Sequence, residues 1–245
     1  MLDIFKRITI GSLILLLMPV LVILSGWKWQ PMDIGWGHVL MYGITATIND
    51  TWVIWTSIIL CSWFVYCLRF SFKSTILLII ILISSLMIGE GIKTFLKNHV
   101  KELRPYKLWI SENYQTNVSN VMQEKDLALQ DKAFICSLDT KKFPQFLIQH
   151  WSHSNNFSFP SGHTLFACTW ALIGIGVLWP RRYYCTVVII MIWALAVMAS
   201  RLIFGMHWSI DLIVAIIFSW ILAILVTILL ERLNFIKTKS VRRKC

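Results

Sequence analysis

At 245 residues, with 57% hydrophobic side chains and a mean hydropathy of +0.68, the chain is too apolar for an ordinary soluble domain. Its apolar residues run in long blocks, which marks a single-domain integral membrane protein. The net charge of +11 is spread over short loops and the tail, which points to membrane topology and lipid surfaces and away from nucleic acid. The six cysteines (Cys61, Cys67, Cys136, Cys168, Cys185, Cys245) show no CxxC or Cys/His spacing, so neither a disulfide framework nor a metal site is expected.

Residues 8–24 form the first predicted span, after Lys6 and Arg7. No A-x-A-like cleavage site follows, and the run is long for a signal segment, so it reads as a retained helix. Residues 26–50 are expected to be a loop whose Trp27, Trp29 and Trp36 suit a membrane interface. Residues 51–68 are the second span, closed by Arg69 and Lys73, and residues 75–95 the third. Near the end of the third, Glu90 and Lys93 share one helical face. Intramembrane charges are functional candidates, and an interfacial ion pair facing other helices is the plain alternative.

Residues 97–162 are polar and too long for a turn, so they predict an extramembrane helical subdomain inserted between spans three and four. Within it, residues 119–129 read as a helix with Ser119 as N-cap. The sequons at Asn117 and Asn156 carry no weight. Residues 165–179, 184–200 and 208–230 complete six spans within one domain, residues 1–245. An even number of spans puts both termini on one side. Lys6-Arg7, Arg69/Lys73, Arg181-Arg182 and the basic tail all fall there, which predicts cytoplasmic termini. The long loop, the 201–207 turn and the Pro160–His163 corner then share the opposite face.

Three polar clusters sit on that face. Lys97 and Arg104 are seven apart, two turns of a continuous helix, although Pro105 argues that the helix ends nearby. A lysine point charge and an arginine fork suit phosphate oxygens, and a basic flank reaching for headgroups is the alternative. Ser161, Gly162 and His163 open an apolar run, where uncovered backbone N–H groups make an anion site and a histidine can donate a proton. An ordinary loop-to-helix junction is the alternative there. Arg201, His207 and Asp211 form the third cluster. His207 and Asp211 lie one turn apart if a helix begins by His207, so Asp211 would hold Nδ1–H and leave Nε2 nucleophilic. A helix-capping pair, or half of a metal site lacking its other ligands, are the alternatives. Together the clusters supply the parts of metal-free phosphoryl transfer.

Lys97-x6-Arg104-Pro105, Pro160-Ser161-Gly162-His163 and Ser200-Arg201-x5-His207-x3-Asp211 resemble the three signature motifs of the type 2 phosphatidic acid phosphatase superfamily, in order and without substitution at the key positions. The resemblance implies an all-α, six-span lipid phosphatase of a bacterial inner membrane with its site at the periplasmic face. It implies substrates such as phosphatidylglycerol phosphate, phosphatidic acid, lysophosphatidic acid, diacylglycerol pyrophosphate and undecaprenyl pyrophosphate. It implies no cofactor, and no protein partner is expected. His207 would be the nucleophile, Asp211 its orienting acid and His163 the proton donor and acceptor. Lys97, Arg104, Ser161, Gly162 and Arg201 would hold the phosphate. A dedicated undecaprenyl pyrophosphate phosphatase, a phospholipid transporter without chemistry, and a soluble haloperoxidase relative are the competing readings; the apolar spans weigh against the last.

Overall fold

The computed structural model describes residues 2–31, 35–49, 51–114, 135, 143–154 and 157–233. Among these residues the chain forms nine α-helices, and strand pairing is limited to one Leu103–Phe157 bridge. They are α1 (Leu2–Leu24), α2 (Trp36–Ala46), α3 (Trp52–Leu68), α4 (Phe72–Val100), α5 (Pro105–Tyr114), α6 (Gln145–Ser152), α7 (Gly162–Leu178), α8 (Tyr184–Ile203) and α9 (Ser209–Arg232). Each predicted apolar run is helical, with ends shifted by a few residues. Five helices (α1, α4, α7 with the turn after it, α8 and α9) are long and apolar enough to cross a membrane. The sixth run, α3, is apolar but has 17 residues. That is roughly 25 Å of helix against a hydrocarbon core of about 30 Å.

The stretch expected to be a loop after α1 contains α2. Gly37 and Gly43 weaken its intrinsic helicity, and it is too short to read as a span. Packing on α8 supplies what propensity does not. The predicted helix at 119–129, both sequon asparagines, Cys136 and Cys245 lie outside the described residues. Cys61, Cys67, Cys168 and Cys185 are free thiols.

α7 is the centre of the bundle, packed by α1, α8 and α9. In the central stretch of α7, 83% of residues are buried, against 28% in α1 and α4. The outer faces of those two helices carry Leu13, Leu17, Ile80 and Met87, apolar side chains suited to lipid. The α7–α9 contact is close because Gly176 has no side chain. A Cβ there would sit 2.5 Å from Thr227 Oγ1. Higher in the same seam, Thr169 Oγ1 donates to Ser219 Oγ (3.1 Å), which donates to the Leu165 carbonyl (3.0 Å). Small residues and polar bridges of this kind hold helices together where lipid removes the hydrophobic incentive.

A second, aromatic core lies beside the first, around α5 and α6. Tyr106 stacks on Trp151 with centroids 4.7 Å apart and planes within 1°. Phe143, Ile148, Phe204 and Met206 pack with them. Trp29, expected at a membrane interface, packs partly buried against this core, and its indole N–H donates to Ile203 O at 2.8 Å. Trp36 is 91% exposed. The difference arises because the chain leaving α1 folds back over the α8–α9 turn, where a partly buried indole finds both ring contacts and an acceptor.

That turn is fastened by every carbonyl from 203 to 206. Besides Trp29 on Ile203 O, Trp151 Nε1 donates to Phe204 O (3.0 Å) and the Tyr106 N–H donates to Gly205 O (3.0 Å). Arg104 Nη1 donates to Met206 O (3.0 Å). Gly205 adopts φ +63°, and a Cβ on it would fall 2.5 Å from the Trp29 ring.

Candidate active site

The three polar clusters are joined by hydrogen bonds before any ligand is considered. Ser158 N–H donates to Glu102 O (2.8 Å), linking the first cluster to the second. Ser161 N–H donates to Asp211 O (3.4 Å), linking the second to the third. Trp208 Nε1 donates to Leu103 O (2.9 Å), and Arg104 to Met206 O, linking the third to the first.

Local geometry differs from the simplest sequence expectation at two points. Lys97 and Arg104 do not share a helix. α4 ends at Val100, Lys101 turns left-handed at φ +51°, and Pro105 opens α5. The break lets Arg104, only 4% exposed, reach the α8–α9 turn. His207 and Asp211 are likewise not on one helical face, because α9 begins at Ser209 with Trp208 as N-cap. Asp211 sits in the first turn and reaches back. Its Oδ2 accepts from Trp208 N–H (2.9 Å) and from His207 Nδ1–H (3.1 Å). A carboxylate is at home there, facing the positive end of the helix.

Ser161 is the N-cap of α7, fully buried, with its Oγ accepting from Thr164 N (3.4 Å) and Thr164 Oγ1 (2.9 Å). It sets the start of α7 and does not line the cavity, whereas the next two residues do. Lys97, Arg104, Gly162, His163, Arg201 and His207 all border one cavity of about 830 Å³. Asp211 stands behind His207, fully buried. Away from these groups the cavity continues between α3, α4 and α7, past Ile54, Ile58, Ile83 and Met87. Glu90 and Lys93 form their ion pair at its edge, with the Glu90 side chain 55% exposed.

Several contacts come from residues outside any motif. His163 Nε2–H donates to Asn49 Oδ1 at 3.3 Å. Arg201, 2% exposed, donates through Nη1 to Thr45 Oγ1 (2.9 Å) and to His150 Nε2 (2.9 Å). Thr45 and Asn49 lie on or just after α2, the helix that was not foreseen, and His150 sits in the polar stretch on α6. None had a spacing that marked it.

The site is strongly cationic, and its histidines respond. Burial, then Arg104, Arg201 and Lys97, hold His207 well below the usual histidine range, while Asp211 on Nδ1 works in the opposite sense. The free imidazole is therefore neutral near pH 7, with Nδ1–H on Asp211 and the Nε2 lone pair unprotonated. His150 is pushed down to about 3 by burial and by Arg201 and Arg104, so it too is neutral. Arg104 lies below its ordinary value, chiefly from burial. A neutral, oriented imidazole facing a set of fixed cations can attack an anionic electrophile and stabilise the charge that spreads from it.

Residues 76–235, which contain all three clusters, match the PAP2 superfamily. The chain belongs to that superfamily. It is 39% identical over 231 residues to phosphatidylglycerophosphatase B of Escherichia coli K12, an alignment covering 94% of this chain and 91% of the relative. It is 28% identical over 228 residues to phosphatidylglycerophosphatase B of Haemophilus influenzae, covering 89% and 92%.

Proposed function

We propose that this chain is a membrane lipid phosphatase that converts phosphatidylglycerol phosphate to phosphatidylglycerol. The observation that carries the reading is one cavity in which His163, His207, Lys97, Arg104 and Arg201 face an apolar channel between α3, α4 and α7. The cations match a phosphate and the channel matches an acyl chain, so substrate reaches the site sideways from the bilayer. Phosphatidic acid, lysophosphatidic acid, diacylglycerol pyrophosphate and undecaprenyl pyrophosphate fit the same description, because the grip is on phosphate.

The reaction takes two displacements. Lys97, Arg104 and Arg201 hold the non-bridging oxygens, with the N–H groups at the start of α7 beside them. His207 Nε2 attacks phosphorus in line. The N–P bond forms as the P–O bond to the lipid breaks, and protonated His163 gives its proton to the departing oxygen. Asp211 stabilises the positive charge that His207 acquires. Neutral His163 then takes a proton from water as the water attacks phosphorus. The N–P bond breaks, inorganic phosphate leaves, and both histidines return to their starting states. No metal ion enters the scheme, so a chelator should leave turnover unchanged.

Topology belongs to the same proposal. α3 is read as the sixth span, shortened by local thinning or tilt of neighbours. Arg181 donates to the Leu68 carbonyl, which supports a common side for the ends of α3 and α7. With Lys6, Arg7, Arg69, Lys73 and Arg232 at that end, it is the cytoplasmic side of a bacterial inner membrane, and the cavity mouth with the 97–162 subdomain is periplasmic. No protein partner and no nucleic acid is required.

Purified protein in detergent should release inorganic phosphate from phosphatidylglycerol phosphate, and vanadate should block it. Phosphate binding without release would favour the transporter reading. A lipid panel with strong preference for undecaprenyl pyrophosphate would favour the cell-wall carrier enzyme.

A further inference from the structure

Arg201 differs from the usual buried arginine in the company it keeps. At 2% exposed, it has no carboxylate partner among the described residues. Its hydrogen-bond acceptors are two neutral groups on one nitrogen, Thr45 Oγ1 and His150 Nε2, each 2.9 Å from Nη1. Both hydrogens of Nη1 are thereby used. Among the described residues neither Nε, which is buried, nor Nη2 has a hydrogen-bond acceptor. The Nε–Nη2 edge of the guanidinium is the bidentate fork that fits two oxygens of a phosphate.

We infer that His150 and Thr45 are positioning residues for Arg201: they pin its Nη1 corner so that the Nε–Nη2 edge is presented to the substrate phosphate. The inference rests on the lipid phosphatase reading above. The choice of neutral acceptors has a physical reason. A carboxylate in their place would orient the guanidinium too, but it would cancel its charge and compete with the phosphate for it. A hydroxyl and a neutral imidazole fix direction and leave the positive charge whole. His150 is suited to this, since burial and then two nearby guanidinium groups disfavour its protonation and keep Nε2 an acceptor.

The two anchors come from elements outside the three motifs. Thr45, fully buried, is near the end of α2. His150 is on α6, where Tyr42 of α2 meets its ring edge-on at 5.8 Å. Its neighbour Trp151 ties α6 to the α8–α9 turn through Phe204 O. Both helices therefore act on the chemistry through one arginine.

The test compares acceptor-removing and acceptor-keeping variants of the full-length protein in detergent. H150L should lower kcat/KM for a lipid phosphomonoester by about ten- to a hundredfold, the range for a displaced transition-state group. Vanadate inhibition should weaken by a similar factor. H150Q, whose Oε1 takes the place of Nε2, should recover to within about fivefold of wild type, and H150N, whose oxygen falls short, should not. T45V, nearly isosteric, should cost about three- to tenfold. In an R201A background, H150L should change kcat/KM by less than about twofold. Wild-type kcat/KM and vanadate inhibition in H150L overturn the inference. So do equal losses in H150L and H150Q, which would make His150 a packing residue only. If wild type itself releases no phosphate from any lipid and binds no vanadate, the phosphatase reading fails first, and this inference fails with it.

Discussion

Two of the histidines that line the cavity, His163 and His207, sit at two helix starts built in opposite ways. At α7, the cap is local: Ser161 accepts from Thr164, and His163 follows within the helix, its one hydrogen bond among the described residues being a 3.3 Å contact to Asn49. At α9, the cap reaches backwards: Asp211 in the first turn takes both the Trp208 N–H and His207, which stands before the helix and is 4% exposed. A histidine proposed to meet phosphorus in line is gripped by a buried carboxylate on a turn fastened through four carbonyls. A histidine proposed to pass a proton to the lipid and then take one from water is held, among the described residues, by one neutral amide. The chemistry proposed for each matches its freedom.

The comparison is broken most directly at the gripped end. H207A should lower phosphate release by at least about 10⁴-fold and leave no phosphoenzyme on rapid quench. Measurable turnover in that variant would remove His207 as nucleophile. D211N keeps the shape but weakens the hold on the Nδ1–H tautomer, and a loss in kcat of about 10²–10⁴ with little change in KM is expected from steady-state kinetics. At the looser end, H163Q should cost about 10²–10³ on lipid phosphomonoesters and clearly less on pyrophosphate lipids, whose leaving group needs less protonation. An equal loss on both substrate types would dissociate His163 from leaving-group departure.

A pH profile sharpens the electrostatic half of the contrast. The cations hold His207 neutral, so the acid limb of kcat/KM should lie below the ordinary histidine value. Removing a cation makes the imidazolium easier to form and raises the pKa. The nucleophile is then lost at a higher pH. R104Q should therefore move the acid limb upward by on the order of one pH unit, whatever it does to the plateau. A downward shift would reverse the assignment. The smallest effect on chemistry belongs to the turn itself. G205A forces a left-handed alanine against the Trp29 ring, and a stability loss of about 1–3 kcal/mol is expected, read as a lower thermal midpoint.

Much of this was legible in the chain. Long apolar runs locate helices because a bilayer requires each backbone to satisfy itself, so α1, α3, α4, α7, α8 and α9 follow from hydropathy. Lys97, Arg104, Gly162, His163, Arg201 and His207 stand out because polar groups at helix ends are conspicuous in an apolar sequence. Other features left no such trace. α2 carries two glycines and relies on α8, and Trp29 looked like any interfacial tryptophan. Lys97 and Arg104 were separated by a left-handed residue rather than two helical turns, and His207 met Asp211 across a cap rather than along a helix.

Sequence alone determined the membrane class, the six long apolar helices and the identity of the charged and titratable groups, since those depend on local composition and spacing. Tertiary structure decided how each group is aimed: Arg201 by Thr45 and His150, Arg104 by Met206 O, His163 by Asn49. Aim depends on acceptors 51 to 156 positions away along the chain, His150 of Arg201 being 51 away and Thr45 156. No local spacing encodes a partner at that distance; only the packing of helices around α7 brings it within reach of a hydrogen bond.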